Sequence, residues 1–99
     1  MTIKGYAMAS KMLVEKRLPV LYMYREKPDN PSDSGWRFFS GYETQEYADD
    51  SSNISIYDIG TITEFDKSII SYLRSAFGTA WERDTGEEEF RPVRIEGKR

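Results

Sequence analysis

One stretch constrains the fold more than any other: Pro28 to Gly41, which reads PDNPSDSGWRFFSG. Its first half is built from Pro, Asx, Ser and Gly, residues that favour tight turns through fixed φ and local side-chain hydrogen bonds. Its second half sets Trp36, Phe38 and Phe39 within four positions, an aromatic load that suits a pleated strand. The chain must therefore turn sharply at Gly35 and enter a sheet at once. Strand alternation puts Trp36 and Phe38 on one face and Arg37 and Phe39 on the other. The first face is read as core, and the second as capped by a helix or by a partner. The unit Asp33-Ser34-Gly35-Trp36 is read as architectural: Asp or Ser binds backbone N–H groups, and Gly supplies a positive φ that lets Trp36 enter the core, with Phe38 following.

With 99 residues the chain has the size of one domain, and 14% aromatic content makes its core lean on Tyr, Phe and Trp, which favours sheet over helical bundle. Around this strand the rest of the chain arranges itself. Tyr6 to Leu13 reads as a first strand, although its Ala and Met content also permits a helix. Glu15-Lys16-Arg17 is a charged turn. Leu18 to Arg25 is a continuous apolar run of β character with Pro19 at its entry, and it is expected to form an antiparallel hairpin with the first strand. Trp36 to Ser40 is the third strand. Thr44 is positioned to cap a short helical turn reaching Asp49. Asn53 to Tyr57 alternates Ile and Ser as a strand does. From Ile62 the spacing of Ile62, Phe65, Ile69, Ile70 and Leu73 becomes helical, with Asp66 as an N-cap and Gly78 as the stop. Thr79 to Arg83 and Glu89 to Val93 form a closing hairpin through the turn at Asp84-Thr85-Gly86. The expectation is a single α+β domain with its core over about 6–94. It has a mainly antiparallel sheet of about five strands and one covering helix near 62–76. Ile95 to Arg99 form a frayed tail.

Composition removes several chemistries. No His and no Cys are present, so the usual general base, the commonest metal ligand, disulfides and thiolate nucleophiles are all missing. No Ser, Thr or Lys has a visible base partner, and neighbouring acids such as Asp49-Asp50 or Glu87-Glu88-Glu89 read as solvated loop carboxylates rather than as an acid/base pair. An enzyme is therefore not expected. Asp49-Asp50-Ser51-Ser52-Asn53 lacks the spaced acidic pattern of a Ca²⁺ loop, so no metal site is expected, and no motif calls for a cofactor. Gly35 and Gly41 lack the Lys and following helix of a phosphate loop. Trp36, Phe38 and Phe39 beside Arg37 raise the question of base stacking, but a pI near 5.0 and the acidic segment that follows would repel a phosphate backbone. Nucleic acid is not expected as a partner. No apolar run approaches the ~20 residues of a membrane span, and no signal peptide is visible, so a cytoplasmic, cysteine-free protein is the expectation.

The net charge of −3 hides a strong asymmetry. Residues 1–27 hold six Lys or Arg against two acids, whereas residues 42–66 hold seven acids and no base. A block of one sign is a solvated face or a docking surface for a basic partner. Tyr42 and Tyr47 flank the acids here, and Tyr supplies contact area at low entropic cost, which suits a protein-binding patch.

The wording of several segments resembles a small bacterial family catalogued first as domain of unknown function 2185 and then grouped as immunity class 33 of polymorphic toxin systems. The resemblance runs from about Ala7 to Val93. It rests on Tyr24-Arg25-Glu26, on Asp33-Ser34-Gly35-Trp36 with Phe38, on Asn53-Ile54-Ser55 and on Trp81-Glu82-Arg83. It implies a non-catalytic protein that binds and neutralises a cognate toxin domain. On that reading the expected docking surface is Tyr42, Glu43, Glu46, Tyr47, Asp49 and Asp50, acidic enough to meet the basic cleft of a toxin acting on nucleic acid. The alternative is a housekeeping or structural binding module with another ligand. A basic toxin gene beside this one favours the first, and an isolated gene the second.

Overall fold

The computed structural model describes residues 5–94. Six strands form one sheet in the order β4-β1-β3-β2-β5-β6. They are β1 (Tyr6–Ser10), β2 (Tyr22–Arg25), β3 (Asp33–Phe39), β4 (Ile54–Asp58), β5 (Ala80–Glu82) and β6 (Arg91–Val93). Three short helices, α1 (Lys11–Glu15), α2 (Gln45–Asp49) and α3 (Ile59–Phe65), interrupt the strands, with 3₁₀ turns at Ser51–Asn53 and Lys67–Tyr72. Among the described residues only β1 and β3 run parallel, and every other pairing is antiparallel. The α+β class and the mainly antiparallel sheet agree with the sequence, with one strand more than expected. The tail from Ile95 onward lies outside the described residues.

The expected hairpin of the first two strands does not form. β1 lies between β3 and β4, and β2 lies beyond β3. The reason is local. Ser10 stops the strand by accepting the Leu13 N–H on its hydroxyl at 3.1 Å, which starts α1 where the sequence allowed strand to continue. The helix then ends in a Schellman motif: Arg17 takes a positive φ of 51°, Leu18 N–H donates to the Leu13 carbonyl, and Arg17 N–H donates to Val14. That turn carries the chain away from β1. Next, Pro19 has no N–H and the Val20 N–H goes to the Asp66 carboxylate at 2.9 Å, so regular strand β2 starts only at Tyr22.

The expected single helix near 62–76 is also divided. Asp58 caps α3 through the Gly60 N–H, and Asp66 at the helix end takes non-helical angles (φ −144°, ψ 89°) and caps the 3₁₀ turn through Ser68. Asp66 holds this break because it is pinned from outside: its other oxygen accepts from Val20 N–H and from Arg83, each at 2.9 Å.

Register sorts the sheet into two unlike faces. Ala9, Phe38, Met23 and Trp81 lie in one cross-strand row, with Trp36 and Ala7 on the same side. Against this face pack Leu13 of α1, Ile59 and Ile62 of α3, and Ile69 and Leu73 of the 3₁₀ segment, all essentially inaccessible, to form the core. Trp36 and Phe38 stack at 5.7 Å, and the Trp36 indole N–H donates to the Leu73 carbonyl at 3.0 Å. Burying such rings is the largest single hydrophobic contribution available to a domain this small. The opposite face carries Met8, Arg37, Tyr24, Tyr22, Phe39 and Ile56. None of these belongs to the core cluster.

Candidate functional site

The turn into β3 is an ion-paired knot. The Asp33 carboxylate accepts Arg37 on both oxygens at 2.9 Å and also the Gly35 and Asp29 N–H groups, while Arg37 Nε donates to Glu26 at 2.6 Å. Arg37, hydrogen-bonded to Asp33 first and foremost, holds that carboxyl well below the usual carboxylate range. Gly35 has φ +88°, and a Cβ there would collide with the Glu26 carbonyl oxygen, so only glycine lets the two strands close. Ser34 Oγ accepts the Trp36 N–H at 3.2 Å. Asp33, Gly35, Trp36 and Phe38 are thus all buried and used internally.

Two more arginines are consumed in the same way. Arg25 donates to the carbonyls of Ser34 and Ser75 at 2.9 Å and lies over Phe77. Arg83 reaches Val20, Gly86, Glu88 and Asp66 from a buried position over Phe90. The Trp81-Glu82-Arg83 segment is therefore a clamp between β5 and the helical layer. The two buried guanidinium groups, Arg37 and Arg83, are each neutralised by a carboxylate buried beside them, Asp33 and Asp66.

The acidic segment is ordered by its own residues. Thr44 caps α2 by accepting the Tyr47 N–H at 3.0 Å, and Asp50 caps the next turn through Ser52 N–H. Glu43 accepts from the Ser40 N–H at 2.9 Å, the Gly41 N–H at 2.9 Å and the Ser10 hydroxyl, tying the segment to the ends of β1 and β3. Tyr47 accepts the Met12 N–H on its phenolic oxygen at 3.0 Å. Of the six residues singled out here, Tyr42, Glu46, Asp49 and Asp50 are exposed, whereas Glu43 and Tyr47 are half-buried and position the rest. Tyr42 is 65% exposed, the largest value among the big hydrophobic side chains of the described residues.

This segment borders a feature the sequence does not announce. On the face of the sheet opposite the core, Tyr22, Tyr24 and Phe39 form a half-buried aromatic cluster with ring centroids 5.8 to 6.2 Å apart. Beside it runs a groove of about 420 Å³, with Tyr22 and Phe39 as its floor. Gln45 and Ala48 of α2 form one wall, and Glu82 and Asp84 form the other. The only sequence signal for it is the position of Phe39 opposite the core side of β3. Pairing Phe39 with Tyr22 needs the register of β2 on β3, which no local pattern contains. Among the described residues no group of three or more acids is close enough to hold a metal ion. No helix among them is long and apolar enough to cross a membrane.

No curated protein and no solved structure matches this chain. A family model does: residues 7–94 match the immunity protein Imm33 domain. That span takes in the β3 turn, the acidic segment, the open face and the Arg83 clamp, and the chain belongs to the Imm33 immunity protein family.

Proposed function

We propose that the protein neutralises a cognate bacterial toxin domain by binding it, without catalysis of its own, in the cytoplasm of the cell it protects. The observation that carries this reading, beyond family membership, is a surface segment with acids and no base, fixed to the scaffold and leaving Tyr42, Glu46, Asp49 and Asp50 to solvent. An acidic, preorganised patch beside an aromatic surface suits a basic toxin cleft: charge steers the encounter, and aromatic contact slows release. Glu43 and Tyr47 serve the same surface from behind, by holding α2 against β1 and β3. The absence of His and Cys, together with three arginines spent on internal bonds, supports a binding rather than a catalytic role.

The test is co-expression with the toxin domain encoded beside the gene. Restored growth of the host and a one-to-one complex on gel filtration are expected. Unabated killing, with the immunity chain folded and present in excess, would overturn the reading.

A further inference from the structure

The groove on the open face is lined by three carboxylates, Glu43, Glu82 and Asp84, and one guanidinium, Arg83, which is committed to Asp66 and three carbonyls. Its floor is aromatic and its volume lies in the ~300–1,000 Å³ range of ligand clefts. Glu82 and Asp84 already grip one guanidinium from the outer side, that of Arg91, at 3.1 and 3.2 Å. One cation against two carboxylates leaves the rim negative, with Glu43 at the α2 end adding to it. The chain also seats guanidinium groups on ring faces elsewhere, Arg83 over Phe90 at 4.1 Å and Arg25 over Phe77 at 4.6 Å. A planar cation with an apolar stem matches such a site in both respects: its head pairs with carboxylates and its plane packs on rings.

We propose that this groove receives an arginine side chain of the toxin, its guanidinium on Asp84 and Glu82 and its stem on Tyr22 and Phe39. This rests on the immunity reading and assigns the specific anchor within it. The exposed acids of α2 then supply steering, and the groove supplies the contact that holds the complex. Arginine buried at the centre of an interface is a residue type that carries binding energy out of proportion to its area.

Two measurements test it. In the first, ¹⁵N-labelled protein is titrated with N-acetylargininamide, and with N-acetylglutaminamide as the uncharged control. Shift changes concentrated at Leu21, Tyr22, Phe39, Gln45 and Ala48 are expected with the arginine probe alone. In the second, toxin affinity is compared for Ala48→Trp, which fills the groove from α2, and Asp84→Lys, whose parent side chain is 74% exposed and can be replaced without disturbing the core. Each variant should weaken toxin binding at least tenfold with an unchanged melting temperature. Groove residues silent to the arginine probe, or full toxin affinity in both variants, would overturn the proposal while leaving the immunity reading intact. A wild-type chain that forms no complex with the toxin defeats the immunity reading instead, and the preference for a guanidinium is then decided by the titration alone.

Discussion

The two faces of this sheet are drawn from the same strands and share an aromatic vocabulary, yet they do different work. On the helical side, Trp36 and Phe38 are fully buried, stacked on one another and sealed by Leu13, Ile62, Ile69 and Leu73. On the other side, Tyr22, Tyr24 and Phe39 sit one residue out of phase in β2 and β3 and are half-buried, with the α2 segment beside Tyr22 and Phe39. A period of two residues is enough to separate a buried face from a half-buried one within seven residues of β3. The lesson is that composition alone cannot tell the two apart. What separates them is which face the apolar side chains of α1, α3 and the 3₁₀ segment cover.

The comparison is broken most severely through the core. Trp36→Ala should cost about 3–5 kcal/mol, as truncation of a buried Trp does, and urea unfolding would show a large drop in midpoint. An unchanged midpoint would mean that the two faces had been assigned the wrong way round. Nearly as large is the loss expected from Asp33→Asn, which leaves the Arg37 charge buried with one partner removed, at about 3–5 kcal/mol. This change also tests a pH effect. The folded Asp33 pKa is depressed by Arg37, so its stabilisation is fully present above the ordinary carboxylate value of 3.8 and is lost as pH falls below it. The wild type should lose stability steeply in acid, and Asp33→Asn should flatten that slope. Urea midpoints measured at pH 7 and pH 3 decide it.

On the open face, Phe39→Ala should be milder for the fold, about 1–2 kcal/mol, because the ring is only partly buried and lies outside the core cluster. Its main effect should be a faster toxin off-rate in surface plasmon resonance. The smallest stability change is expected for the double variant Glu46→Lys and Asp49→Lys, within about 0.5 kcal/mol, as both side chains are exposed. Here the toxin on-rate should fall and its salt dependence flatten. A faster off-rate with an unaltered on-rate would contradict the division of labour between steering acids and aromatic anchor.

Much of this was legible in the sequence where the determinant is local. Thr44 and Asp66 are caps by residue type and spacing, and the closing hairpin follows from its turn. The strand at Ile54–Asp58 follows from alternation. The errors share one physical origin. A five-residue helix is too short to show a period, so α1 was hidden in what looked like the end of a strand, and with it went the crossover that separates β1 from β2. The break at Asp66 likewise depends on Val20 and Arg83, which are distant in sequence. The groove depends on a register of three strands and on the placement of α2, so its residues were invisible as a set even though Phe39 had been placed on the correct side of β3.

The parallel pairing of β1 with β3 has a consequence for synthesis. β1 leaves the ribosome before either of its neighbours exists; one hydrogen-bonding edge stays open until β3 has emerged, and the other until residue 58 of β4 has. No local hairpin can shelter it in the meantime, because the next strand made, β2, pairs elsewhere. Assembly of the sheet is therefore governed by non-local loop closure, the slow regime for small domains. The open face, which needs β2, β3 and β5 in register, is therefore complete only some time after translation has passed residue 82.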